Sequence, residues 1–116
     1  MYFSFNIRGR NIHVSNSLPY GSISCGNSVY FDKSSQTISL YVYGDASAYK
    51  YYNGDGTLSN IDSVALYYNN NGTIYVIGNA KIYYNNDGTV YYVNDCGVYY
   101  NYDGTVYTLG NERFYY

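Results

Sequence analysis

From residue 48 onward the chain repeats one pattern of apolar and polar positions every sixteen residues. An apolar run closes on a tyrosine pair, a polar Asn-x-Asp-Gly-Thr-like stretch follows, and a second apolar run ends in a shorter polar break. The pairs Tyr51-Tyr52, Tyr67-Tyr68, Tyr83-Tyr84, Tyr99-Tyr100 and Tyr115-Tyr116 mark the interval, as do Gly56, Gly72, Gly88 and Gly104. An interval kept without insertion means one supersecondary unit used repeatedly. Two strand-like runs per unit predict an all-β fold of tandem antiparallel hairpins arranged as a meander.

The polar stretch carries the hairpin signal. In Asn85-Asn86-Asp87-Gly88-Thr89, polar residues suited to a type I turn precede a Gly at the left-handed position, and a β-branched residue then resumes the ladder. The simplest register sets Tyr84 opposite Val90, Ile82 opposite Tyr92, Tyr83 opposite Tyr91 and Lys81 opposite Val93. One face then carries Leu66, Tyr68, Ile74, Val76, Ile82, Tyr84, Val90, Tyr92, Val98, Tyr100, Val106 and Thr108, and is the expected core side. The other presents the pairs Tyr67/Tyr75, Tyr83/Tyr91 and Tyr99/Tyr107, each worth about 0.2 to 1 kcal/mol over alanines. A two-sided β-solenoid, with one coil per unit and like residues stacked, is the alternative geometry for the same period.

Residues 1–47 keep the pattern only loosely. Cys25-Gly26-Asn27-Ser28-Val29-Tyr30-Phe31 echoes Cys96-Gly97-Val98-Tyr99-Tyr100 with two residues inserted, and Leu40-Tyr41-Val42-Tyr43-Gly44 echoes a second strand. Ser4 to Val14 alternates apolar and polar residues about Arg8-Gly9-Arg10, which reads as a further hairpin. The expected organisation is one continuous domain, with degenerate or capping hairpins over 1–47 and regular units over 48–116.

Composition narrows function by exclusion. With 6 Lys and Arg against 8 Asp and Glu, the chain has no basic stripe for a phosphate backbone, so nucleic acid is not expected as a partner. The opening residues lack the apolar stretch of a signal peptide, and no run approaches the length of a membrane span. The compartment stays open: cytosolic, virion-borne and surface-associated placements all fit. Cys25 and Cys96 are too few and too far apart for a disulfide framework or a zinc site, and read as two free thiols.

Catalysis needs converging ionisable groups, and the sequence supplies few. His13 is the single histidine and has no acidic or thiol neighbour in sequence. Asp55, Asp87 and Asp103 recur at one turn position, where turn propensity accounts for them, and Asn71 takes that place in one unit. The turns lack the spacing and terminal Glu of an EF-hand loop. No Gly-rich segment opens a helix to cradle phosphate. The expectation is a protein without catalytic activity, cofactor or metal. Asn71-Gly72-Thr73 matches a glycosylation acceptor as a by-product of the turn consensus.

Two functions from different classes fit these features. The final unit breaks off after Arg113, Phe114, Tyr115 and Tyr116, which reads as an open edge strand able to template another chain. A neighbour's Tyr2 to Ile7 is the expected complement, giving a structural protein that self-assembles into a fibre, lattice or surface layer, with Tyr-rich faces packing laterally. Alternatively, Tyr67, Tyr75, Tyr83, Tyr91, Tyr99 and Tyr107 form a face on which pyranose rings stack while Asn side chains read hydroxyls, giving a multivalent glycan-binding module.

The run Tyr83-Tyr84-Asn85-Asn86-Asp87-Gly88-Thr89, followed by an aliphatic residue, loosely resembles the choline-binding and glucan-binding repeats of bacterial surface proteins, in which an aromatic pair precedes a Gly-containing hairpin turn. The resemblance covers roughly residues 50–116. It carries over no individual binding residue, since the chain has no Trp and a shorter unit.

Overall fold

The paired runs of each sixteen-residue unit are strands in the computed structural model, which describes residues 1–116. The fold is all-β, without helix. Its two antiparallel sheets do not close into a barrel. Strands β1 (Tyr2–Asn6), β2 (His13–Ser15), β3 (Ile23–Cys25), β4 (Val29–Asp32) and β5 (Thr37–Tyr41) form a sheet in the order β2-β1-β5-β4-β3. The second sheet contains β6 (Lys50–Tyr52), β7 (Leu58–Ile61), β8 (Val64–Tyr68), β9 (Ile74–Ile77), β10 (Ala80–Tyr84), β11 (Val90–Val93), β12 (Cys96–Tyr100), β13 (Val106–Leu109) and β14 (Glu112–Arg113), and each strand pairs with its neighbours in sequence.

The polar stretches form the turns the sequence predicts. Around Gly88, whose φ is 92°, the Asn85 amide donates to the Thr89 carbonyl at 2.8 Å and the Gly88 amide to the Asn85 carbonyl at 3.0 Å. Asp87 Oδ1 accepts both the Thr89 amide, at 2.9 Å, and the Thr89 hydroxyl, at 2.6 Å. Gly is required at this point because a Cβ is strained at positive φ. The shorter breaks use Gly78 and Gly110, or Asn94 and Asp62, again at positive φ.

The expected cross-strand register holds for one pair and then slips. Tyr84 lies opposite Val90, but Tyr83 lies opposite Tyr92 and Ile82 opposite Val93. A β-bulge between Tyr83 and Tyr84 places two residues of β11 against one of β10, and the same shift occurs at Tyr51/Tyr52, Tyr67/Tyr68 and Tyr99/Tyr100. One added residue reverses the facing of everything beyond it. The buried residues are therefore Ile77, Val93 and Leu109, not Val76, Tyr92 and Thr108, while Leu66, Ile74, Ile82, Val90, Val98 and Val106 are buried as expected.

Both sheets contribute to one apolar cluster of 23 residues. Phe3, Phe5, Phe31, Ile38 and Leu40 come from the first sheet and meet the aliphatic residues of the second. Each such side chain contributes roughly 1.5 to 3 kcal/mol through burial. Hydrogen bonds from backbone amides also join the sheets at intervals of one unit. The amides of Ile74, Val90 and Val106 donate to the Gly9 carbonyl at 2.9 Å, the Ile7 carbonyl at 2.7 Å and Gln36 Oε1 at 2.9 Å.

The cysteines are not free. Cys25 on β3 and Cys96 on β12 form a disulfide, with Cα atoms 6.2 Å apart, that links the two sheets. A separation of 71 residues hides this pairing from local pattern, since only the stacking of the sheets brings the thiols together.

Candidate binding face

Consecutive strand residues point to opposite sides, so each tyrosine pair divides its labour. In every pair but Tyr51-Tyr52, whose Tyr52 is 61% exposed, the second member donates its hydroxyl to a backbone carbonyl ten residues earlier. Tyr68 meets Leu58, Tyr84 meets Ile74, Tyr100 meets Val90 and Tyr116 meets Val106. Burial raises the Tyr84 phenol to about 12 and moves Tyr68 and Tyr100 in the same direction, so these hydroxyls remain protonated donors at neutral pH.

The first members turn outward. Tyr67, Tyr83 and Tyr99 are 60%, 42% and 62% exposed, and Tyr75 and Tyr91 on the intervening strands are each 39% exposed. Tyr83 and Tyr91 remain near neighbours despite the bulge, with ring centroids 6.4 Å apart and planes tilted by 48°. Tyr91 in turn makes an edge contact with Tyr92 at 5.5 Å. Tyr107 is half-buried beneath the Arg113 guanidinium, 4.7 Å from its ring centre. The six tyrosines of the expected face therefore share the outer side of one sheet. Like positions recur every second strand, roughly 9.5 Å apart at ordinary strand spacing.

The residues of the expected assembly edge have partners within the chain. Arg113 pairs with Thr108 across β13 and stacks on Tyr107 and Tyr115. Phe114 is buried against Phe31, with ring centroids 5.0 Å apart. The Tyr115 carbonyl accepts Lys33 Nζ. The Tyr116 hydroxyl accepts Gln36 Nε2 at 2.8 Å while donating to Val106. Of Tyr2 to Ile7, the segment expected to be donated to a neighbour, Tyr2–Asn6 is the β1 strand and pairs with β2 on one side and β5 on the other.

The remaining ionisable residues stay apart. His13 is exposed on β2 beside a cleft lined chiefly by serines, among them Ser4, Ser15 and Ser17. No three His, Cys, Asp or Glu side chains come together as metal ligands. Asp55, Asp87 and Asp103 are held below the usual carboxylate range by hydrogen bonds from the hydroxyl and then the amide of the Thr two residues on, as their role in the turn demands.

Two roles escaped sequence reasoning. Arg8 and Arg10 reach across to the turns of the second sheet, 79 and 61 residues away, and no local signal marks these contacts. Lys50 occupies the inward column otherwise filled by Leu66, Ile82, Val98 and Phe114, and its Nζ is tied to the Ala46 carbonyl at 2.8 Å. Comparison with protein families, curated proteins and solved structures yields no match.

Proposed function

We propose that this chain is a non-catalytic glycan-binding module, in which sixteen-residue hairpin units stack as a meander and present Tyr67, Tyr83 and Tyr99, with Tyr75, Tyr91 and Tyr107 between them, to a polysaccharide. The observation that carries this reading is the division within the pairs Tyr67-Tyr68, Tyr83-Tyr84 and Tyr99-Tyr100. The inward hydroxyl anchors its strand to the preceding unit, while the outward ring is left wet on a rigid sheet. A fixed aromatic ring offers a flat apolar surface to a pyranose at little entropic cost, and repetition converts weak single contacts into avidity. Replacing Tyr67, Tyr83 and Tyr99 together by Ser should abolish retention on immobilised polysaccharides and leave folding intact. Retention unchanged by the triple substitution, or a wild type that binds nothing on a broad glycan array, would sink the proposal.

The same exposed row supports a second reading, a structural protein whose copies associate laterally through their Tyr faces. Sedimentation velocity separates the two. Concentration-dependent assembly that the triple substitution removes would favour self-association, whereas a monomer that binds glycan would favour the first reading.

A further inference from the structure

The loop between β1 and β2 sets two arginines against the turns of the second sheet. Gly9 lies between them at a φ of 70°, and a Cβ there would stand 1.9 Å from the Tyr84 hydroxyl, so the loop has room only for glycine. Arg8 Nη1 donates to the Asp87 carbonyl at 2.8 Å and Arg10 Nη2 to the Asn71 carbonyl at 2.7 Å. Each of these bonds fixes a guanidinium while using one of its five N–H donors. Between the two turns opens a cleft of about 310 Å³, lined by both arginines and by Asn69, Asn71, Asn85 and Asn86. No carboxylate lines it.

Beside Arg10 that absence depends on one residue, whereas the Asp87 carboxylate lies near Arg8, whose charge helps to keep it ionised. The turn position is Asp in three units and Asn only at 71, the turn that Arg10 touches. Asn71 Oδ1 accepts the Thr73 amide at 3.1 Å and the Thr73 hydroxyl at 2.7 Å, as Asp87 does for Thr89 at 2.9 and 2.6 Å. The turn therefore does not need the amide. What the amide changes is charge: an aspartate at this place would put an anion into the cleft beside Arg10.

We infer that the cleft is a binding site for an acidic sugar, with Arg8 and Arg10 holding its carboxylate or sulfate and the asparagine amides reading its hydroxyls. Guanidinium forks match oxyanions in charge and geometry, and amides both donate to and accept from hydroxyls. The site is separate from the Tyr face and does not depend on that reading.

The test is an NMR titration of the ¹⁵N-labelled protein at low ionic strength with glucuronate, glucose and sodium sulfate. Glucuronate should give saturable shifts at the amides of Gly72 and Gly88, and glucose none. Asn71→Asp keeps the turn found in the other units and should weaken glucuronate at least about tenfold, as should Arg10→Gln. Tyr99→Ser should leave it unchanged. No saturable response to glucuronate, an Asn71→Asp variant that binds it equally well, or sulfate binding as tightly as glucuronate, which would mark an adventitious ion only, would overturn the assignment.

Discussion

The hydroxyl of Tyr100 donates to the carbonyl of Val90, ten residues earlier, and the amide of that same Val90 donates to the carbonyl of Ile7 in the other sheet. Ile74, Val90 and Val106, each just after a long turn, are thus held on both polar groups, by the unit that follows and by the sheet they pack upon. Tyr100→Phe removes one of these bonds and leaves a buried carbonyl unmet, at a cost of about 1 to 3 kcal/mol. Thermal unfolding should show a melting temperature roughly 4 to 12 °C lower, given the unfolding entropy of a domain of this size. Tyr99→Phe, on the exposed member of the same pair, should melt as the wild type does.

Lys50 is the charged member of an otherwise apolar inward column, and it lies on β6, an outer strand of its sheet. A charge pointing inward on an outer strand discourages pairing with another chain. Lys50→Leu should leave the fold unchanged and promote association, measured as a concentration-dependent rise in sedimentation coefficient. A variant that stays monomeric at high concentration would show that another feature protects this edge.

Cys25 and Cys96 close a loop of 71 residues between the two sheets. Constraint of the unfolded chain by a loop of that length is worth about 4 kcal/mol in the entropic account. Reduction, or the double substitution Cys25→Ser and Cys96→Ser, should shift the guanidinium midpoint down by a corresponding amount. Equal midpoints with and without reductant would mean that the sheets' apolar contacts suffice.

Titration at the turns and in the Tyr ladder acts at opposite ends of the pH scale. Asp45 is lowered to about 2, chiefly by the Ser47 amide, and Asp55, Asp87 and Asp103 are lowered by their Thr partners. A depressed folded pKa gives stability that is present above the unfolded value near 4 and is lost as pH falls towards the folded one. Tyr84, raised to about 12, stabilises fully below the unfolded phenol value near 10 and loses that contribution as pH rises from 10 to 12. Melting temperature measured from pH 2 to 12 should fall at both ends, and Tyr84→Phe should flatten the alkaline limb.

What the sequence disclosed was local. Asn85, Asp87, Gly88 and Thr89 announce their turn because its hydrogen bonds close within four residues, the Asn85 side-chain amide donating to the Thr89 hydroxyl and Asp87 accepting the Thr89 amide and hydroxyl. The strands on either side follow from the apolar runs that those turns separate. The bulge was not legible, because alternation alone cannot show where a ladder gains a residue, and so Val93 and Tyr92 exchanged faces. The Cys25–Cys96 bond and the reach of Arg8 to Asp87 were hidden for another reason: they join residues 71 and 79 positions apart through the stacking of two sheets, and stacking leaves no periodic trace. On the candidate face, the outward direction of Tyr67, Tyr83 and Tyr99 was legible from strand alternation. The cleft beside Arg10 was not, since it needs both sheets in place.

Ile7, Gly9 and Gln36 accept the amides of Val90, Ile74 and Val106, three residues placed one unit apart. The first sheet therefore serves as a gauge for the second. Leu58, at the same place in the first unit, donates no such bond, so the gauge marks three of the four units. The position of the later units is thus held by the part of the chain where the period is weakest.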